Sequence, residues 1–286
     1  MDLDPRTTSP IDFDALDSSI GTLRDDFHDA VPFPHVVIDG LLRPEALEAA
    51  LTTFEAVGQS GWTKYLHVNE RKFANTDPSS WPSALEQIAL ELQSPRFMAF
   101  LARLTGIDGL MPDPSLDGGG LHRSGRDGFL NIHADFTTHH VKGDWARRLN
   151  LILYLNREWE EAWGGALELW PPDMRRCERA VLPAANRALI FRTTEDSFHG
   201  HPEPTACPPD VHRQSLALYY FTQEDETRRL STNYQPRPGD GLKAVTIIAD
   251  REALRLYDSL KRRLRFSDST ASAWLGRLHR LKNRFR

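Results

Sequence analysis

Phe129-Leu-Asn-Ile-His-Ala-Asp135 is the stretch on which the fold of this chain is read. It is short and mostly apolar, and Gly125-Arg-Asp-Gly128 punctuates the chain just before it, so it reads as a β-strand. Residues i and i+2 of a strand share a face. His133 and Asp135 therefore reach one point together, with Asn131 and Phe129 on the same face. A converging imidazole and carboxylate are two of the three ligands of a facial triad. A distant histidine completes such a triad, which leaves iron(II) with open positions. In a chain with 11 histidines a His-x-Asp triplet arises about once by chance, so context must decide its meaning.

Downstream, Ser197-Phe-His-Gly-His201 offers two histidines on one strand face. His201 opens a second His-x-carboxylate, His201-Pro-Glu203. Pro202 and Pro204 suit a central strand poorly, so His199 is preferred as the third ligand. His139 and His140 fall in a loop and read as solvent- or substrate-side residues. Arg148–Asn156 alternates: Asn150, Ile152 and Tyr154 share one face, and four leucines, 149 to 155, share the other. Both faces are largely apolar, as in a strand covered on both sides. Tyr154 is either a core tyrosine or a hydroxyl aimed into a cavity. In the last long strand, Arg213 and Ser215 share a face. A buried arginine needs an anion, and no acid on the adjoining strand face supplies one. A guanidinium fork takes a carboxylate in bidentate fashion and a serine adds a donor. The alternative is an exposed arginine at a strand start.

At 286 residues the chain is long for one domain without clearly making two. With 40% hydrophobic and 26% charged residues it can bury a sizeable core. The net charge of −5 does not point to nucleic acid. Residues 261–286 hold nine Lys/Arg and one acid, leaving 26 basic against 39 acidic residues, or −13, in the remainder. Cys177 and Cys207 make no disulfide framework and have no metal spacing, so they read as structural. The N-terminus lacks an apolar h-region, and no run approaches the ~20 apolar residues that span a bilayer. These features predict a reduced, soluble, cytoplasmic protein.

Residues 1–9 are expected to be disordered. Helices are predicted over Asp12–His28, from Pro44 to about Val57, and as one long element from Ser80 or Pro82 through Leu104. Strands are predicted at His35–Ile38 and Trp62–Val68. After Met111 the strands are Leu121–Ser124, Phe129–Asp135, Arg148–Asn156, Gly165–Trp170, Glu178–Leu182, Ala188–Arg192, Phe198–His201 and Arg213–Thr222. The chain is thus mostly β with flanking α: a double-stranded β-helix, or cupin-like jelly roll, with the N-terminal helices packed outside. The boundaries are one unit over residues 1–238 (helical support 10–108, jelly-roll core 115–222) and a basic helical extension, residues 239–286. That extension suits an anionic surface or an acidic partner, or else docks on the acidic body.

The order His133-x-Asp135, His199, Arg213-x-Ser215 on this background resembles the iron(II)/2-oxoglutarate-dependent oxygenases. The resemblance is closest to their prolyl 4-hydroxylase-like branch, which includes the oxygen-sensing prolyl hydroxylases. It is carried also by Tyr154-Leu-Asn-Arg-Glu-Trp159, Trp163-Gly-Gly-Ala-Leu-Glu-Leu-Trp170, Asn186-Arg-Ala-Leu-Ile-Phe191, Ser197-Phe-His-Gly200 and Arg213-Gln-Ser-Leu-Ala-Leu-Tyr219, over about residues 115–222. It implies iron held by His133, Asp135 and His199. It implies 2-oxoglutarate held at its distal carboxylate by Arg213, helped by Ser215 and Tyr154, with Asn150 and Ile152 in the same pocket. Dioxygen is the other cosubstrate, and ascorbate a possible helper. The expected reaction hydroxylates an unactivated C–H and releases succinate and carbon dioxide. Relatives that halogenate replace the carboxylate with a small residue, so Asp135 favours hydroxylation.

One departure is the Pro-rich insert Glu203–Asp210 between His199 and Arg213, which leaves Arg192 and His212 as rival anchors. The Gly-rich segment Gly118–Gly128 is placed at the cavity lip. There His122, Arg123 and Arg126, with Asn131, are the candidate substrate contacts, for a small-molecule or peptide substrate. Proline or another amino acid, free or peptide-bound, and sugars stay open. Two other classes are carried: a zinc hydrolase, since His, His and carboxylate also suit zinc, and a non-catalytic cupin-like binding or sensor protein.

Overall fold

The structure, a computed structural model, describes residues 9–58 and 61–252. The N-terminal part holds α1 (Phe13–Asp29), β1 (His35–Asp39), α2 (Pro44–Phe54), β2 (Thr63–His67), β3 (Glu70–Asn75), α3 (Ser83–Glu91) and α4 (Pro95–Thr105). There follow β4 (Met111–Pro112), β5 (Gly120–Ser124), β6 (Phe129–Ala134), β7 (Trp145–Tyr154), β8 (Leu167–Trp170) and β9 (Arg179–Val181). Last come β10 (Arg187–Arg192), β11 (Phe198–His201), β12 (Arg213–Gln223) and β13 (Asn233–Tyr234), and residues 242–252 are helical.

The strands pair in the order β1-β10-β7-β12-β5-β3-β6-β11-β8-β9, with β2 on β3, β4 on β12 and β13 on β6. Neighbours along that path run antiparallel. The sheet curls over at β3, whose Phe73–Asn75 end pairs with β5 while Glu70 and Arg71 pair with β6. One half of the jelly roll therefore faces the other.

Alternation along β7 and β12 sorts the two faces. Leu149, Leu151 and Leu153 of β7, with Leu216, Leu218 and Tyr220 of β12, point outward into one core. Phe97, Phe100, Leu101 and Leu104 of α4 and Phe13 and Phe27 of α1 meet them there. Each such side chain contributes about 1.5–3 kcal/mol on burial, which is why the helices lie against this half. The inward faces meet in a smaller cluster of Tyr154, Leu167, Leu169, Val181, Leu189 and Phe191.

The β-strands predicted after Met111 all form, with ends moved by a few residues. The long helix expected through Leu104 is instead two. Ser94 Oγ accepts the N–H of Phe97 at 3.1 Å and Pro95, which has no N–H to donate, opens α4. The helix ends on Gly106 at φ +69°. β3 is a strand that the sequence does not predict. Its residues, Glu-Arg-Lys-Phe-Ala-Asn, read as polar because Glu70 and Lys72 pair with each other beside the cavity (3.0 Å). The expectations for residues 1–8, and for the basic tail after 252, lie outside the described residues.

Candidate functional site

β6 and β11 lie side by side with His133 opposite His199. Their rings are 4.5 Å apart and both are buried. Asp135 follows β6 and brings Oδ1 to 3.5 Å from His133 Nε2 and Oδ2 to 3.4 Å from His199 Nε2. The three ligand atoms lie within 4.8 Å of one another, the one such His/Cys/Asp/Glu group among the described residues. Each Nδ1 sits 2.9 Å from a backbone carbonyl, Asn131 O for His133 and Ser197 O for His199. A carbonyl can only accept, so each Nδ1 carries the proton and each Nε2 turns its lone pair to the common point. Burial pushes the His199 pKa down to about 4, against the pull of Asp135. A neutral pair of imidazoles with one carboxylate fits a divalent iron, leaving it a net single positive charge.

Asp135 is held from behind. Asn150 Nδ2 donates to its Oδ2 at 2.7 Å and Arg147 Nη2 at 3.0 Å. Arg147 Nε in turn donates to Asn150 Oδ1 at 2.8 Å, and so does the Thr193 hydroxyl at 3.0 Å. Burial alone would raise the Asp135 pKa, but the Arg147 guanidinium beside it outweighs that and holds the carboxyl well below its usual range. With Oδ2 taken by two donors, Oδ1 is the freer oxygen for a metal. The Arg147 guanidinium also lies 3.3 Å from the centre of the Tyr219 ring. Sequence reasoning misses Arg147. Strict alternation from Asn150 puts Arg148 inward, but a register shift between Tyr220 and Phe221 of the partner strand turns Arg147 in instead. The Arg147-Arg148 doublet is the only signal in the sequence.

The same cavity is lined by Arg213, 7% exposed. Its Nε donates to Gly165 O at 2.8 Å and its Nη2 to the Tyr154 hydroxyl at 3.3 Å. Both acceptors are neutral. Among the described residues no carboxylate pairs with it, and burial lowers its pKa. Gly165, at φ +71°, allows this approach: a Cβ there would lie 3.3 Å from Arg213 Cδ and 3.0 Å from Thr205 Cγ2. Ser215 and Ile152 line the cavity beside Arg213, whereas Tyr154 is fully buried and supports the guanidinium from behind. Asn150 lines the cavity but spends its amide on Asp135 and Arg147. Of the rival anchors, Arg192 is exposed and His212 is not part of the lining. The insert is a loop whose Thr205 exchanges backbone hydrogen bonds with Asp127 and Gly128 (2.8 and 3.0 Å).

The candidate substrate contacts fare unevenly. His122 lines the cavity, and burial, with Lys72 nearby, pushes its pKa down to about 3. Arg123 also borders it, with its guanidinium 4.3 Å from the Trp62 ring. Arg126 is exposed in the turn between β5 and β6 and is not brought to the site. Asn131 is buried, but its amide donates to Val68 O and Asn69 Oδ1 (3.2 and 3.0 Å), away from the cavity. The β6–β11 register slips between His199 and His201, so Leu130 rather than Asn131 joins His133 on the lining. His139 is a correction too. It is 2% exposed, its Nδ1 accepts the N–H groups of Val141 and Lys142, and its Nε2 lies 3.3 Å from Asp113. His140 is exposed, as expected, beside Asp117. A second chamber opens on His133 and Asp135 and is lined by Tyr65, Phe136, Tyr219 and Tyr234 with Lys72 and His122. Tyr65, Lys72 and Tyr234 come from strands that lie outside the residues carrying the sequence resemblance.

Residues 119–221 match the family model described as the 2OG-Fe(II) oxygenase superfamily. No curated protein sequence matches the chain. Solved structures that share the fold include the following three. A prolyl hydroxylase of Trichoplax adhaerens, in complex with a hypoxia inducible factor oxygen degradation domain peptide fragment, is 14% identical with a TM-score of 0.54 over 73% of this chain and 91% of its own. A prolyl 4-hydroxylase of Phytophthora capsici is 19% identical with a TM-score of 0.52, over 77% of this chain and 68% of its own. A 2OG-Fe(II) oxygenase family oxidoreductase of Burkholderia pseudomallei is 14% identical with a TM-score of 0.51, over 73% and 94%.

Proposed function

We propose that this chain, whose residues 119–221 match the 2OG-Fe(II) oxygenase superfamily model, is a 2-oxoglutarate- and iron(II)-dependent dioxygenase that hydroxylates an unactivated C–H of an amino acid, free or peptide-bound, with proline the first candidate. Succinate and carbon dioxide are the co-products. The observation that carries this is the buried, unpaired Arg213 in a cavity that also bears His133, Asp135 and His199. A zinc hydrolase needs no such cation. A metal corner with a buried guanidinium on the same cavity suits a ligand that has a chelating end and a second carboxylate.

Iron(II) with 2-oxoglutarate supplies oxidising power from dioxygen that no side chain has. The chain's own residues do the rest. His133, Asp135 and His199 hold the ion, and Asn150 and Arg147 keep Asp135 ionised and oriented. Arg213 and Ser215 take the distal carboxylate, with Ile152 against the methylene chain. Tyr219 and Tyr234, in the second chamber, keep bulk water from the substrate side. The peptide named with the Trichoplax adhaerens relative supports an amino-acid substrate here.

We place the oxygenase unit over residues 1–238 and a separate basic extension over 239–286, the latter for contact with an anionic surface or acidic partner. Among the described residues no helix is long and apolar enough to cross a membrane, and we place the protein in the cytoplasm. The test is anaerobic addition of iron(II) and 2-oxoglutarate. A weak visible absorption band requires both, disappears in His133→Ala, and needs far more 2-oxoglutarate in Arg213→Leu. A screen of amino acids and peptides for stimulated succinate release then finds the substrate. If no band forms and no succinate is released, the oxygenase reading is wrong.

A further inference from the structure

Pro202 argues against His201 as a metal ligand, and His201 does not join the metal group. It is nevertheless 4% exposed and lines the cavity together with His199, two residues before it on β11. Every other buried histidine among the described residues has a ring nitrogen in a hydrogen bond: His35 to Phe33 O, His133 to Asn131 O, His199 to Ser197 O, and His139 to backbone N–H groups. His201 has none through either nitrogen; its Nδ1 is sealed from solvent without a partner, which leaves Nε2 as the nitrogen that can meet a ligand in the cavity. A buried polar atom left unpaired costs about 1–3 kcal/mol. The fold tolerates this on a cavity whose lining also carries Arg213, with Lys72 and Arg123 as the other cations. The arrangement is that of a donor waiting for an anion.

We infer that His201 is a second binding residue for the distal carboxylate of 2-oxoglutarate, donating its Nε2–H to it from across the cavity from Arg213. This rests on the dioxygenase reading of the site. Two walls are then joined by the ligand: β12 through Arg213 and Ser215, and β11 through His201. The same strand that presents His199 to the metal would thus also hold the far end of the cosubstrate. Binding of 2-oxoglutarate would fix the spacing of β11 from β12.

The test uses the full chain loaded with manganese(II), so that binding is read without turnover, in wild type, His201→Leu, His201→Gln and Arg213→Leu. Calorimetric titrations compare 2-oxoglutarate with pyruvate, which keeps the 2-oxo acid end and lacks the distal carboxylate. In His201→Leu, 2-oxoglutarate should bind about tenfold or more weakly, pyruvate should be unchanged, and the melting temperature should be equal or higher, because an unpaired nitrogen has been removed. His201→Gln, which keeps an N–H donor, should recover part of the loss. Equal weakening of both ligands, or no change for 2-oxoglutarate while Arg213→Leu still loses it, overturns the role of His201 and leaves the dioxygenase reading standing. Failure of wild type to bind 2-oxoglutarate at all removes the reading itself.

Discussion

Asn150 shares a strand face with Tyr154 and Ile152, as a cosubstrate contact would, yet its side chain is spent on Asp135, Arg147 and Thr193. Replacing it with leucine, of nearly the same shape, separates the two roles. The change removes one donor to a buried carboxylate and one acceptor shared by a guanidinium and a hydroxyl. Two buried donors lose their partner at about 1–3 kcal/mol each, so Asn150→Leu should cost about 2–6 kcal/mol of folding stability before relaxation. Arg147 still holds Asp135 Oδ2 at 3.0 Å, so the carboxylate stays ionised but is free to swing about one bond instead of two. Loss of a group that orients a metal ligand typically lowers metal affinity about 10–100-fold, or about 1.4–2.7 kcal/mol. Titration of metal-free protein with manganese(II), by calorimetry, reads that fall. A second titration with 2-oxoglutarate at saturating metal should differ from wild type by less than about threefold, well under the ~1 kcal/mol that one lost hydrogen bond would give. If metal affinity is unchanged and 2-oxoglutarate is lost, Asn150 is a cosubstrate ligand and the carboxylate clamp is a misreading.

Gly200 is pressed under the β6 bulge: a Cβ there would lie 2.7 Å from Leu130 O and 2.8 Å from Asn131 O. Gly200→Ala should therefore cost about 1–3 kcal/mol and weaken metal binding together with it, read as a lower melting temperature and a raised metal dissociation constant; unchanged metal binding would mean the bulge does not set the His133–His199 spacing. Glu70 gives a pH test. Burial would raise its pKa, but Lys72 and His67 prevail and set it at about 2, down from an ordinary 4.5. Its contribution of about 3 kcal/mol is complete above pH 4.5 and is lost as pH falls toward 2. The stability gap between wild type and Glu70→Gln, from urea unfolding, should hold from about pH 6 to 5, below the ordinary histidine value of 6.5, and shrink below 4.5; a gap flat down to pH 3 would refute the assignment.

Alternation and turn chemistry are the parts of this fold that the sequence makes legible. His133, Asp135 and His199 are recoverable because the i, i+2 spacing from His133 to Asp135 lies beyond the slip in β6 and His199 pairs directly opposite His133, and Arg213 because the strand that follows it is apolar. The hidden part depends on breaks in the pleat. Alternation places Asn131 and Arg147 each on the wrong face, because of one register slip in β6–β11 and one in β7–β12. A slip of one residue exchanges the faces of everything beyond it, and neither slip has a glycine or proline on the strand it displaces. β3 escapes for a different reason: its inward side chains satisfy one another as an ion pair, so it lacks the apolar periodicity by which strands are read.

Two buried arginines, Arg147 behind Asp135 and Arg213 on the cavity lining, show how the fold divides its charges. Arg147 meets Asp135, and the pair adds nothing to the net charge of the metal corner beyond holding one carboxylate ionised. Arg213 is given a carbonyl and a phenol and no acid. A cation desolvated against neutral acceptors is costly to keep, and any carboxylate on the protein that reached it would relieve that cost and also fill the site. The sequence withholds one: the inward positions facing Arg213 across β5 and β7 are Ser124, His122 and Tyr154, none of them acidic. Adding an acid should therefore close the cavity from within. Ser124→Glu, directly opposite Arg213 in register, should raise the melting temperature or leave it unchanged while abolishing 2-oxoglutarate binding, with metal affinity intact. If that variant still binds 2-oxoglutarate as wild type does, the unpaired guanidinium is not what the cosubstrate seeks.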